Sequence, residues 1–355
     1  MSGFLGMFSY GGAATPVAPS DYVSMGGATV AQRIAVYKWT DATGFGTKYS
    51  IPSLPAQINQ VSFVPDNATF SGSSWVSPYI AVWQWSSAGF GTQYASPSSP
   101  LSPSNIGISN FNWTSNVDAF LTINVSSPVT PQAWAWSSGF GSKYSNGAAL
   151  STTSSRGTDL SSDDSYFAIG SFGSPGISLY PWASGFGTRF ANPSSLPVGN
   201  LAAQGGVSFN PVTNDLAVGT GSTPYIFVYP ISSSGFGTKY ANPSTLPTSS
   251  INGVRHSPDG QAVASVNSSS PFVNAWAWSG GFGTKYSNPG TLPPVDTESL
   301  DFSSNSSSII TGRKTNTPFV TAYTWSSSSG FGTKYSDPSS APGSSYTVAF
   351  SNQSR

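Results

Sequence analysis

The chain has 355 residues, with 13 basic and 13 acidic side chains, one His and no Cys. A charged fraction of 7% and zero formal net charge give no long-range attraction for nucleic acid or an anionic membrane, and without Cys there is neither a disulfide nor a thiolate metal site. An aromatic content of 14%, including 11 Trp, is too high for a disordered polar chain, so Ser, Thr, Asn and Gly must supply the wetted surface of a folded one.

Residues 1–20 carry no basic n-region and no apolar run of signal-peptide or membrane-span length, and are expected to form a flexible, Gly-rich arm. Asp21 to Ser24 and Arg33 to Trp39 then read as two strands, followed by the first copy of Gly-Phe-Gly-Thr-Lys-Tyr. That hexapeptide or a close variant starts at Gly44, Gly89, Gly139, Gly185, Gly235, Gly281 and Gly330, at spacings of 45, 50, 46, 50, 46 and 49 residues. Self-similarity at this period marks a propeller blade or solenoid unit, and the copies leave no room for a second domain. Residues 21–355 are therefore expected to be one domain.

The unit from Ile251 to Pro293 is the clearest. Val254-Arg255-His256 and Ala262-Val263-Ala264-Ser265 flank a Ser-Pro-Asp-Gly turn, which reads as two strands around a hairpin. Phe272 to Trp278 alternates bulky Trp276 and Trp278 with small Ala275 and Ala277, a third strand, and Thr284-Lys285-Tyr286 after the Gly-Phe-Gly turn makes a short fourth. Four antiparallel strands per repeat make one blade, which predicts an all-β, seven-bladed β-propeller. The first strand ends on a bulky residue in every repeat: Phe63, Trp113, Leu160, Phe209, His256, Phe302 and Phe350. The last of these belongs to residues 345–355, which have no blade of their own, whereas residues 21–50 lack a first strand. The C-terminal strand is thus expected to complete the N-terminal blade and close the ring.

Val254 to Ala264 resembles the V-x-F-S-P-D-G-x-x-x-A segment of WD40 repeats, and Phe272 to Trp278 resembles their V-x-x-W strand. The chain departs from that family in lacking the Gly-His dipeptide and the Asp after the final Trp. Its repeat style is also similar to propellers encoded by tailed bacteriophages, which implies a virion or host-contact role.

Catalysis finds little foothold in the motifs. His256 stands where other repeats place Phe or Trp, Glu298 is the lone Glu, and no pair of carboxylates recurs at a fixed spacing. Asp159, Asp163 and Asp164 could hold Ca²⁺ through oxygen ligands, but they match no EF-hand loop and fit Asp/Ser turns equally. Asp159, Arg255 and Asp301 fall in the middle of first strands, beside the channel, where other repeats carry Ser62, Asn112, Ser208 and Ala349. An Arg255 to Asp301 ion pair between adjacent blades and a ligand site at the channel mouth are the two readings. Together with His256 they form the candidate channel-side polar site.

Lys48, Lys143, Arg189, Lys239, Lys285 and Lys334 make six of the seven motif copies basic, with Gln93 the exception. They would form a spaced basic rim that docks an acidic partner, or else lay their stems over aromatic faces. The Phe of each motif is either an exposed anchor or folded back between blades.

The expectation from sequence is a non-enzymatic structural or interaction propeller without cofactor, a phage virion accessory on capsid or tail. Its partners would be other virion proteins, bound through the arm or one propeller face, with a host surface glycan as a further candidate. A lectin-like propeller with sites between blades and an intracellular WD40-type adaptor are the alternatives.

Overall fold

Alternation of Trp with Ala gives third strands such as Val273–Trp278 one bulky and one slim face, and strands of this kind pack face to face when a bulky side meets a slim neighbour. A ring of blades satisfies that rule at every junction. The computed structural model of the protein describes residues 21–27, 34–54, 58–74, 77–98, 108–124, 127–152, 154–199 and 206–351, and the expected arm lies outside them.

The described residues form seven antiparallel blades and contain no helix. Five blades have four strands, as in the blade built from Ile251–His256, Ala262–Asn267, Val273–Trp278 and Phe282–Lys285. The C-terminal strand Thr347–Phe350 pairs antiparallel with Tyr22–Gly26, with Ala349 opposite Ser24, so the first blade is assembled from both ends of the sequence. This places Phe350 in register with the innermost strands of the other six blades.

Two blades depart from the expected four strands. The sheets Ser154–Leu160, Tyr166–Phe172, Ile177–Pro181 and Val207–Phe209, Leu216–Gly219, Ile226–Tyr229 each have three. Their third strands run into Pro181 and Pro230, where the others continue through a residue that carries an N–H. Proline cannot donate to the next strand, so the ladder survives only through carbonyls, as in Gly187 N–H to Pro181 O at 3.0 Å and Gly237 N–H to Pro230 O at 2.8 Å.

The apolar interior divides into seven clusters, one at each junction between blades. Within the blades that carry Trp at the motif, the motif Phe folds back edge-on to that Trp, with ring centroids 5.0–5.2 Å apart, so the Phe side chains are packing groups. The motif Tyr reaches across to the same Trp of the next blade, from Tyr49 on Trp85 at 5.1 Å to Tyr335 on Trp39 at 5.0 Å. Such edge-to-face pairs add about 0.5–1.5 kcal/mol each beyond burial.

At Gly44, Gly89 and Gly330 the first motif glycine is what admits that Tyr. Gly330 has φ +84°, and a Cβ built there would lie 2.7 Å from Cβ of Tyr286 in the preceding blade. Gly330→Ala should therefore lower stability by about 1–3 kcal/mol, read from the urea unfolding midpoint, through strain at positive φ and a clash with Tyr286. Gly290→Ala, where a Cβ meets nothing within 4 Å, should change it by no more than about 0.5 kcal/mol.

Candidate functional site

The innermost strands surround the axis and enclose a cavity of about 120 Å³ to which all seven blades contribute. At about 10–15 Å³ per water position, this is room for on the order of ten waters or a ligand of that size. Its charged lining residues are Asp159, Arg255 and Asp301, and His256 also borders it. The four residues of the channel-side site predicted from sequence are thus brought to one place.

They do different work there. Asp159 Oδ2 accepts the backbone N–H of Phe209 in the next blade at 2.8 Å, and Asp301 Oδ2 accepts that of Phe350 at 2.8 Å. Gln60 Oε1 takes the N–H of Phe111 at 2.8 Å, and Ser208 Oγ that of His256 at 3.0 Å. Side-chain oxygens on innermost strands thereby capture backbone donors of the following blade at four junctions. Arg255 breaks the series, because a guanidinium can only donate. Its Nε lies 3.9 Å from Asp301 Oδ1, a long ion pair, its Nη1 reaches the Val207 carbonyl oxygen of the preceding blade at 3.5 Å, and its side chain stays 30% exposed beside the cavity.

His256 belongs to the wall as a neutral group. Its Nδ1 lies 3.2 Å from the Ser208 carbonyl oxygen, so Nδ1 carries the proton, and its ring meets Trp278 edge-on at 5.7 Å. Burial pushes its pKa down to about 3, against a smaller upward pull from the Ser208 hydrogen bond. Nε2 has no hydrogen-bond partner among the described residues.

The basic rim is elsewhere: Lys48, Lys143, Lys285 and Lys334 sit on fourth strands, and Arg189 and Lys239 lie just after the Gly-Phe-Gly turn in the two three-stranded blades. Lys48 lies over Tyr37, Lys143 over Trp134 and Lys239 over Phe227, with the ammonium 5.0–5.8 Å from the ring centres. Arg189, Lys239 and Lys285 donate to Asn192, Asn242 and Asn288, three residues on, and Lys334 pairs with Asp337 at 2.5 Å. Asp163 and Asp164 are likewise engaged, Asp163 by Ser161 and Ser165 of its own turn and by Asn214 of the next blade, and Asp164 by Ser115 of the preceding one.

Sequence reasoning did not single out Gln60, Asn110, Ser299 or Thr347, which also line the cavity. Nothing in the repeat marks them beyond their places on or beside first strands.

No known protein-family profile and no curated protein sequence matches the chain. Solved structures do match. A candidate 6-phosphogluconolactonase from Bacteroides uniformis superposes with a TM-score of 0.71 at 13% identity, covering 93% of this chain and 98% of that one. Another from Bacteroides fragilis gives 0.72 at 10% identity, covering 95% and 99%, and a protein from Lactobacillus plantarum 0.68 at 14%, covering 93% and 99%. The likeness is one of fold.

It nevertheless overturns the expectation of a non-enzymatic virion accessory, because rings that match nearly the whole chain are named for catalysis. The exclusion of an enzyme rested on missing sequence motifs. A propeller assembles its site from single residues on separate blades, about 50 positions apart, so no motif is required. Capsid, tail and WD40-family roles gain no support from these structures. No helix among the described residues is long and apolar enough to cross a membrane.

The buried histidine predicts a pH effect. Its folded pKa of about 3 lies below the ordinary 6.5, so the unfolded chain binds a proton that the folded one refuses. Stability should fall by about 1.4 kcal/mol per pH unit as pH drops from about 6.5 towards 3. His256→Phe, the residue of four other blades, should remove that component, read as a smaller shift of the thermal midpoint between pH 6.5 and 4.5. Glu298, raised by burial, acts in the opposite sense but is common to both proteins.

Proposed function

We propose that the axial cavity is a hydrolytic site for a small cyclic ester, a lactone. One observation carries the reading: the charged residues of the cavity lining are one half-exposed guanidinium, Arg255, and two carboxylates, Asp159 and Asp301. They stand in a concave axial position where the blades otherwise carry neutral residues. Structural neighbours named as candidate 6-phosphogluconolactonases agree with this choice of reaction.

Lactone opening asks for two things. Water must lose a proton as it attacks the acyl carbon, and the carbonyl oxygen must be stabilised as it takes up the electron pair. The Arg255 guanidinium, with donors left over from Asp301, is suited to the oxyanion. Asp159 is suited to take the proton of water and return it to the ring oxygen when the carbon-oxygen bond breaks, giving a hydroxy acid. Asp301 orients Arg255 and is committed to the Phe350 N–H. His256 takes no part in proton transfer, since it stays neutral in the wall.

Proton release from aldonolactones, followed in a pH-stat above the spontaneous rate, tests the proposal. Arg255→Ala should lower kcat/KM by about 10²-fold or more. Asp159→Asn keeps an acceptor for the Phe209 N–H and so the fold, and should lower kcat by about 10²–10⁴-fold. Wild-type rates no faster than buffer across the panel would sink the reading.

A further inference from the structure

Resting on the hydrolytic reading, we infer that the cavity takes an uncharged, hydroxyl-rich lactone and rejects a phosphorylated one. The charges in the lining are two carboxylates and one guanidinium, a balance of minus one, with His256 neutral. The guanidinium already faces a carboxylate, at 3.9 Å from Asp301. A phosphate monoester carries close to two negative charges at neutral pH and needs cations or a cluster of backbone N–H groups to replace its water. Here the backbone N–H groups of Phe209 and Phe350, which could have served, are already taken by Asp159 and Asp301.

Arg255 is the one Lys or Arg among the described residues that line the cavity. The motif Lys and Arg side chains are outside the lining and lie over aromatic rings or against Asn or Asp, and Lys314 pairs with Glu298 at 3.9 Å. What the lining does offer is neutral: Gln60, Ser62, Asn110 and Ser208 all border the cavity. These groups suit sugar hydroxyls, while the two carboxylates discriminate against a second negative charge by repulsion.

The discriminating experiment compares glucono-1,5-lactone with its 6-phosphate at one pH and ionic strength. The parent lactone should have a kcat/KM at least tenfold higher, and Asp301→Asn, which removes one carboxylate yet keeps an acceptor for the Phe350 N–H, should narrow the gap. A phosphate ester hydrolysed equally well or better overturns the inference and leaves the hydrolytic reading standing. If neither is hydrolysed, the hydrolytic reading fails and calorimetry with 1,5-anhydroglucitol and its 6-phosphate decides the charge preference. Binding of the uncharged sugar alone supports it, and binding of the phosphate, or of neither, overturns it.

Discussion

The structure depends on one contact repeated around the ring, the aromatic side chain at the end of each hexapeptide seated against the next blade. In six junctions a Tyr ring meets a Trp edge-on at 5.0–5.4 Å. In the seventh, Phe190 packs into the cluster that holds Ile231, where the Trp is missing. The last contact, Tyr335 on Trp39, joins residues nearly 300 positions apart and is of the same kind as the rest. Because a blade cannot cover both its faces alone, each contact stabilises two blades, and the ring is stable only when the series is complete.

Closure sets what the axis can do. With aromatic packing and the Thr347–Phe350 strand holding the blades, the innermost strands are fixed close enough for side chains of one blade to meet the backbone of the next. Where the side chain is Asp, Ser or Gln, it takes a neighbouring N–H and is used up in part. Arg255 cannot accept; it reaches the Val207 carbonyl oxygen at 3.5 Å instead and keeps its charge beside the cavity. The exception in a structural series is thereby the feature on which a ligand can act.

The hexapeptide is largely structural. Gly clears space for the neighbour's aromatic ring at Gly44, Gly89, Gly235 and Gly330, Phe covers its own Trp in six blades, and the basic residues lie over rings or are held by an Asn or Asp three residues on. Agreement between repeats therefore reports packing, and difference between repeats reports chemistry. The loss of the fourth strand from two blade sheets follows the same logic, since a single Pro removes an N–H on which the ladder relies.

Blade number, strand order, the bulky position ending each first strand and the swapped C-terminal strand were all legible in the sequence, because period and alternation are local properties that packing must obey. The proximity of Asp159, Arg255 and Asp301 could be guessed from their equivalent positions, but not their roles, which depend on whose N–H each carboxylate meets across a junction. The absence of a catalytic motif carries little weight for the same reason: residues that line the axis come one or a few from each blade, and only closure of the ring brings them together. The sequence by itself determined a seven-fold array of interlocking blades. The tertiary structure alone decided which charges share the axial cavity, because that depends on distances between residues some 50 positions apart.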